Sequence, residues 1–248
     1  MAATDATVVL VHGAWADGSS WAKVLQRLHE AGHDAVAPPN NLRGLAADAA
    51  VVRAYVDTID GAVVLVGHSY GGAVITNAAK GAANVEALVY VDAFIPDEGE
   101  PVGALLGDDS AVKPALENPT SVFKLVPIPG APASVVDTYL LPQVVADSFA
   151  SDLSADEARL IAATQRPASI ATVSEASGAP AWGAVPAWAV IGTRDRIISP
   201  TSLRSMAERA RARVTEVEAS HVSMISRPDV VAHVIEQALR EVGAYQPA

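Results

Sequence analysis

The chain has 248 residues, half of them hydrophobic, which is enough to bury one large core. Its 17 Lys and Arg against 28 Asp and Glu give a formal charge of −11, which argues against binding to nucleic acid or to an anionic membrane surface. The sequence has no cysteine, no apolar run long enough to span a membrane and no signal-peptide pattern, so we expect a cytoplasmic protein without disulfides.

Short apolar runs alternate with amphipathic segments along the first 94 residues. Four runs have the length and the valine-rich composition of buried strands: Thr7–Val11, Asp34–Ala37, Ala62–Val66 and Val85–Val91. Apolar residues at helical spacing predict three helices between and after them: Ser20–Ala31, Leu45–Ile59 and Tyr70–Ala82. Strands that are apolar on both faces and separated by helices predict a doubly wound α/β fold with a mostly parallel sheet.

This alternation stops after Phe94. Residues 95–184 contain many prolines and show no strand–helix repeat. We interpret them as a helical cap, or lid, inserted into a core formed by residues 1–94 and 185–248. Three pieces of the cap are predicted to be helical: Ser134–Leu141, Val144–Ala150 and Ser154–Thr164, the last opening with a capping-box pattern.

The alternation resumes after the cap. Two further strands are predicted over Ala187–Ile191 and Arg213–Val217. A helix is predicted over Thr201–Ala210, and a final helix from Pro228 to about Val242. These elements extend the same sheet, so we expect one α/β core rather than a second domain.

The sequence Gly67-His68-Ser69-Tyr70-Gly71 matches the pattern G-x-S-x-G. It directly follows a predicted strand and directly precedes a predicted helix, which is the setting that a nucleophile elbow requires. Such a turn strains the backbone of the serine and presents its Oγ at the carboxyl edge of the sheet, while the glycines leave room for the neighbouring strand and helix. The pattern therefore predicts Ser69 as a catalytic nucleophile.

A serine hydroxyl needs a base to take its proton, and the sequence offers six histidines. His221 lies in a short loop between the last strand and the last helix, at the sheet edge expected for Ser69, so we predict it as the base. We expect His12 to shape the loop after the first strand, and His68 to point away from Oγ. The other three are interpreted as surface or packing residues: His29, His33 and His233.

The base in turn needs a carboxylate that fixes its tautomer and stabilises its protonated form. Asp195 follows the strand Ala187–Ile191, and the chain order Ser69, Asp195, His221 is the order expected for this kind of site. Asp92, at the end of the strand Val85–Val91, is the alternative acid. For the oxyanion hole we nominate the backbone N–H groups of Tyr70, which follows the nucleophile, and of Ala14 in the loop after the first strand.

Nearly the whole chain resembles the α/β-hydrolase superfamily. Three blocks are most similar to the plant methylesterase and hydroxynitrile lyase branch and its bacterial esterase relatives: Val11–Trp15, Gly67–Gly72 and Ser220–Pro228. The resemblance implies Ser69 as nucleophile, His221 as base, Asp195 as acid and Ala14 and Tyr70 as oxyanion donors, with no metal and no organic cofactor. The lyases of that branch carry a lysine directly after the catalytic histidine, whereas Val222 stands there in this chain.

From these residues we expect a serine hydrolase that cleaves a small-molecule carboxylic ester. A lactonase or a C–C bond hydrolase on the same triad, and a ligand-binding receptor with little turnover, stay open as alternatives. The substrate pocket is expected between the elbow and the cap. Its predicted walls are Trp15, Tyr70, Leu140, Leu141 and Met224. The sequence leaves the oligomeric state open, with a homodimer as one option.

Overall fold

A six-stranded parallel sheet forms the centre of the protein in the computed structural model, which describes residues 6–244. The strands within these residues are β1 (Thr7–Val11), β2 (Ala35–Val36), β3 (Val63–His68), β4 (Val85–Val91), β5 (Phe123–Pro127), β6 (Val136–Leu140), β7 (Ala168–Ser169), β8 (Ala187–Gly192) and β9 (Arg213–Val217). The central sheet has the order β2-β1-β3-β4-β8-β9, with every pair parallel. The prediction of a doubly wound, mostly parallel sheet is confirmed.

Helices flank this sheet and also occur in the segment between β4 and β8. They are α1 (Ala22–Glu30), α2 (Leu45–Val56), α3 (Tyr70–Ala78), α4 (Pro142–Val144), α5 (Ala155–Thr164), α6 (Ala171–Ser174), α7 (Pro200–Arg209), α8 (Ser223–Ser226) and α9 (Pro228–Ala244). Helix α1 packs against α9, and α2 packs against α3, so the central strands are buried between helices. Between residues 6 and 244, no helix is long and apolar enough to cross a membrane.

The order of the strands places three loop regions side by side. Strands β3, β4 and β8 are consecutive neighbours, and β9 lies next to β8 at the edge. Because these strands are parallel, their carboxyl ends meet at one edge of the sheet, where ligands bind in open α/β sheets. The loops after β3, β8 and β9 carry Ser69, Asp195 and His221.

The segment between β4 and β8 differs from the prediction in one respect. Ser134–Leu141, predicted as a helix, contains strand β6, which pairs antiparallel with β5 and with β7. Its residues are largely β-branched or aromatic, and their side chains alternate in burial towards the end, with Thr138 and Leu140 buried. The hydrogen bonds come from segments that are distant in sequence, which local periodicity does not reveal.

The other two helical predictions for this segment are confirmed. Residues 142–149 form α4 and a π-helical turn, and α5 begins after Ser154 with the expected capping box. The segment therefore combines helices with a small antiparallel sheet. Its division from the core at residues 95 and 184 stays a prediction, and residues 1–5 and 245–248 of the predicted core lie outside the described residues.

Candidate active site

Ser69 occupies a sharp turn between a strand and a helix. Strand β3 ends at His68 and helix α3 begins at Tyr70, which leaves Ser69 alone with φ 53° and ψ −123°. A residue other than glycine rarely adopts a positive φ, so the turn stores strain of the kind found at functional sites. A Cβ atom at Gly67 would lie 2.5 Å from the carbonyl oxygen of Gly71, and one at Gly71 would lie 2.4 Å from that of Val11. Only glycine fits at both positions.

The three predicted triad side chains meet at the carboxyl edge of the sheet. Oγ of Ser69 lies 2.8 Å from Nε2 of His221, and Nδ1 of His221 lies 2.7 Å from Oδ2 of Asp195. All three residues are buried. A carboxylate only accepts, so Nδ1 carries the ring proton and donates it to Asp195, which leaves Nε2 free to accept the proton of Ser69. The hydroxyl is therefore hydrogen-bonded to a group that can act as its base.

Asp195 is held in place by its own turn. Its Oδ1 accepts hydrogen bonds from the N–H groups of Ile197, at 2.7 Å, and Ile198, at 3.0 Å. The other oxygen is thereby directed at His221. This arrangement keeps a buried carboxylate satisfied and fixes the orientation of the imidazole ring.

Two contacts that sequence reasoning missed hold the loop of His221. His68 donates from Nε2 to the carbonyl oxygen of His221 over 2.8 Å. Burial, and then the nearby His221, place the pKa of His68 well below its usual value, so its ring is a neutral donor. Asp152 accepts hydrogen bonds from the backbone N–H of Ser220, at 3.0 Å, and from its hydroxyl. His68 lies within the G-x-S-x-G motif and bonds to the backbone of His221, whereas no local pattern indicates the role of Asp152.

Two backbone N–H groups that border the same cavity as Ser69 are the candidate oxyanion donors. Tyr70 is the first residue of α3, and the first N–H groups of a helix have no partner within the helix. The N–H of Ala14 donates no hydrogen bond to any residue between 6 and 244. A Cβ at Gly13 would lie 2.7 Å from Cβ of Ser69, which shows how closely the loop before Ala14 approaches the nucleophile. These are the two donors predicted from the sequence.

His12 shapes that loop, as expected. Its Nδ1 donates to the carbonyl oxygen of Gly13 over 3.0 Å, and its Nε2 accepts from the N–H of Asn40 over 3.0 Å. Burial is the main cause that lowers the pKa of His12, so the neutral ring provides one donor and one acceptor. The loop that ends in Ala14 is thereby fixed from within.

An apolar cavity of about 660 Å³ opens beside Ser69, part of it continuous with solvent. Ser69, Ala14 and Tyr70 line one end, and Trp15 lies against the ring of Phe123, with ring centroids 5.3 Å apart. In the described part of the chain, its remaining lining is apolar except for the hydroxyl of Thr172. That hydroxyl donates to the carbonyl oxygen of Ser169. The cavity therefore suits an apolar group and offers it no charged partner.

The structure separates the predicted pocket walls into two groups. Trp15 and Tyr70 line the cavity beside Ser69, but Leu140, Leu141 and Met224 do not. Leu140 is buried opposite Phe123 in the small sheet, because the predicted helix there is strand β6. Met224 is also buried and borders a second cleft of about 790 Å³, which shares Trp15 with the first.

Asp92, the alternative acid, has different partners from Asp195. Its oxygens accept hydrogen bonds from the backbone N–H groups of Gly192, at 2.7 Å, and Ser223, at 3.0 Å. Both ring nitrogens of His221 are already bonded, to Asp195 and Ser69. The geometry therefore favours Asp195 as the acid. Between residues 6 and 244, no cluster of three or more His, Asp or Glu side chains is placed to ligate a metal ion; the expectation of a reaction without metal or cofactor stays a prediction.

Sequence comparison finds a family model and one curated relative. Residues 8–234 match the model described as "Alpha/beta hydrolase family". The carbendazim hydrolyzing esterase of Nocardioides sp. (strain SG-4G) is 37% identical over an alignment of 114 residues; the alignment covers 41% of this chain and 47% of that protein. The match thus spans about half the length of this relative.

Solved structures with the same fold cover almost the whole chain. Polyneuridine aldehyde esterase is 21% identical with a TM-score of 0.73, covering 93% of this chain and 98% of its own. An extracellular alpha/beta-hydrolase from a Paenibacillus species, described as homologous to tobacco Salicylic Acid Binding Protein 2, is 21% identical with a TM-score of 0.73, covering 94% and 98%. A pyrethroid hydrolase from Sphingobium faniae is 17% identical with a TM-score of 0.76, covering 97% and 99%. At these identities the likeness concerns the fold.

Proposed function

This chain belongs to the alpha/beta hydrolase family, as the motifs indicated, and from that premise we propose that it is a serine hydrolase that cleaves small carboxylic esters through an acyl-enzyme on Ser69. The observation that carries the proposal is the buried chain of hydrogen bonds from Ser69 through His221 to Asp195, at 2.8 and 2.7 Å. Nucleophile, base and orienting carboxylate in mutual contact are the recurring arrangement for acyl transfer.

The reaction follows from the positions of these groups. His221 takes the proton of Ser69 through Nε2 while Oγ attacks the carbonyl carbon of the ester. The N–H groups of Ala14 and Tyr70 bind the developing oxyanion, and Asp195 stabilises the protonated imidazole. His221 then protonates the leaving alcohol. A water molecule, deprotonated by the same ring, then attacks the acyl-enzyme. The bond between the acyl carbon and Oγ breaks, His221 returns the proton to Oγ, and the acid is released.

The substrate class follows from the cavity beside Ser69. Because its lining is apolar and without charge among the described residues, it favours an ester with an uncharged hydrocarbon or aryl group. The names of a relative and of a structural neighbour add carbendazim and pyrethroids to the compounds worth testing. A small-molecule ester is thus the proposed partner, and the formal charge of −11 supports the expectation that nucleic acid and anionic membranes are not partners.

The cellular setting is proposed from composition. The sequence contains no cysteine, which suits a reducing compartment, so we propose a cytoplasmic location. Fractionation of the native host with an antibody to the protein tests this directly, and recovery of the protein from the culture medium contradicts it. A homodimer stays an option that sedimentation analysis tests.

Replacement of the nucleophile tests the proposed reaction. Ser69→Ala should lower kcat/KM for an aryl acetate at least about 1,000-fold and leave the melting temperature within a few degrees of the wild type. Ser177→Ala is the matched control, because Ser177 is equally buried but bonds to Asn77 and Gly178, away from the cavity. A Ser69→Ala variant that keeps a tenth of the wild-type activity contradicts the proposal.

Product analysis separates the remaining alternatives. The wild type is incubated with esters of increasing chain length, with lactones and with β-diketones, and the products are identified by mass spectrometry. Preferred release of an alcohol and an acid from linear esters supports the proposal. Preferred opening of lactones or cleavage of diketones indicates a lactonase or a C–C bond hydrolase, and tight binding without turnover indicates a receptor.

A further inference from the structure

Asp92 is a buried carboxyl group that the proposed reaction does not use. It directly follows β4, which lies between the strand that leads to Ser69 and the strand that leads to Asp195. Its side chain is fully shielded from solvent. Burial of a carboxyl group is unfavourable unless its oxygens accept hydrogen bonds. The hydrogen-bond partners of Asp92 therefore indicate what this residue does at the centre of the sheet edge.

Its two oxygens join the two loops that complete the triad. Oδ1 accepts from the N–H of Gly192, over 2.7 Å, and Gly192 begins the turn that ends in Asp195. Oδ2 accepts from the N–H of Ser223, over 3.0 Å, and Ser223 lies two residues after His221. One carboxylate thus links the acid loop to the histidine loop beneath the contact between Asp195 and His221.

The backbone of Asp92 is fixed as firmly as its side chain. Its φ is +46°, which is uncommon for a residue other than glycine, and its N–H donates to the carbonyl oxygen of Val190 over 2.9 Å. One residue before it, Val91 accepts from the N–H of Ser69, and two residues after it, Phe94 donates to the carbonyl oxygen of Ser69. The anchor of both loops is therefore attached to the nucleophile turn as well.

We propose that Asp92 is a positioning residue that holds His221 and Asp195 in register with Ser69 by clamping their two loops. The proposal rests on the proposed function for its kinetic consequences, but the clamp itself is a property of the folded protein. Asp92 touches neither the hydroxyl of Ser69 nor a ring nitrogen of His221 through a hydrogen bond among the described residues, so it acts through the loops.

The charge state of Asp92 adds a dependence on pH. Burial, and then the neighbouring Asp195, raise the pKa of Asp92 to about 7, while the nearby His221 and hydrogen bonds from Ser223 lower it. Below that pH a proton occupies one oxygen and weakens one of the two N–H contacts. The acid limb of the activity profile should then contain the ionisation of Asp92.

The experiment compares Asp92→Asn with Val85→Ala, a buried position at the opposite end of the same strand. Asn keeps the shape of the side chain but turns an N–H group towards one of the two donors. We expect kcat for an aryl acetate to fall at least about 10-fold and KM to stay within about threefold. The acid limb of a plot of log kcat against pH should become less steep, because the Asn side chain does not ionise. Val85→Ala should lose thermal stability and keep the wild-type kcat and acid limb.

The proposal can be overturned whether or not Asp92→Asn folds. A value of kcat within twofold of the wild type and an unchanged acid limb in Asp92→Asn overturn the proposal. If this variant does not fold, ¹³C-carboxyl NMR of the wild type replaces it: an aspartate that titrates near pH 7 and shifts the proton signal of His221 Nδ1 in the same step supports the clamp. A His221 Nδ1 signal that no aspartate titration shifts overturns it, because Asp92 would then not act on the histidine loop. The NMR signal needs no turnover, so a failure of the proposed ester hydrolysis stays distinguishable from a failure of the clamp.

Discussion

An alanine in place of Gly13 would put a methyl group where three atoms already lie. The added Cβ would be 2.7 Å from Cβ of Ser69, 2.9 Å from the carbonyl oxygen of His68 and 3.0 Å from Nδ1 of His68. Carbon atoms in contact are normally about 3.5–4.0 Å apart, so the loop or Ser69 must retreat by roughly 0.8 Å or more. The next residue, Ala14, carries one of the two candidate oxyanion donors, which act only within about 2.7–3.1 Å of the oxyanion.

This displacement should remove one oxyanion donor. We therefore expect kcat of Gly13→Ala for an aryl acetate to fall by about 10²–10³, equivalent to about 3–4 kcal/mol of transition-state stabilisation. Overpacking should also lower the free energy of unfolding by about 1–3 kcal/mol. KM should change less than kcat, because the donors bind the transition state more strongly than the ester.

The assay is steady-state hydrolysis of the aryl acetate, with urea unfolding of the same samples. Gly183→Ala is the matched control, because a Cβ there would meet no atom within 4 Å. It should match the wild type in both measurements. If kcat of Gly13→Ala lies within threefold of the wild type, the added methyl group does not displace the N–H of Ala14 from the oxyanion, and the prediction is wrong.

Three further predictions concern buried polar contacts. The pKa of Asp92 is raised from 3.8 to about 7, so between these pH values the folded protein keeps a proton that the unfolded chain has lost. From pH 5 to pH 8 the free energy of unfolding of the wild type should therefore fall by about 3 kcal/mol relative to that of Asp92→Asn. Urea-unfolding measurements in which the two proteins show the same dependence on pH contradict this. Asp152→Ala removes the acceptor of the buried backbone N–H of Ser220 and leaves its hydroxyl only the carbonyl oxygen of Phe149, so the free energy of unfolding measured with urea should fall by about 1–3 kcal/mol; an unchanged midpoint speaks against the contact. Tyr70→Phe removes the 2.8 Å hydrogen bond to buried Asp48, so the free energy of unfolding should fall by about 1–3 kcal/mol. The backbone N–H of residue 70 is kept, so kcat should stay within threefold of the wild type. A tenfold loss of kcat would instead give the hydroxyl a part in the reaction.

The sequence was enough to predict that the three triad residues lie close together, because each of them follows a strand of the same parallel sheet. Ser69 is marked by its glycines, and Asp195 and His221 by their positions after β8 and β9. Parallel strands present their carboxyl ends at one edge, so chain position alone indicates which loops meet. The sequence favoured Asp195 over Asp92 as the acid, and the coordinates add the hydrogen-bond partners that separate two residues which both follow strands.

The segment between β4 and β8 was less predictable for a physical reason. The strands β5, β6 and β7 pair with segments up to about 30 residues away, and their short lengths leave little periodicity to read. Leu140 and Leu141 were predicted as pocket walls because they are apolar residues of the cap, but Leu140 is paired with Phe123 in the small sheet. The cavity is lined instead by residues such as Val102, Leu106 and Val173, which no sequence motif indicated.

Covalent labelling of the protein tests whether Ser69 is an activated nucleophile. In the structure, the hydroxyl of Ser69 is hydrogen-bonded to the buried imidazole of His221, which can remove its proton. A fluorophosphonate should therefore add once to each chain, peptide mapping should locate the adduct on Ser69, and Ser69→Ala should remain unlabelled. A wild-type protein that hydrolyses an aryl acetate while the reagent leaves Ser69 unmodified, or modifies another residue, contradicts the account.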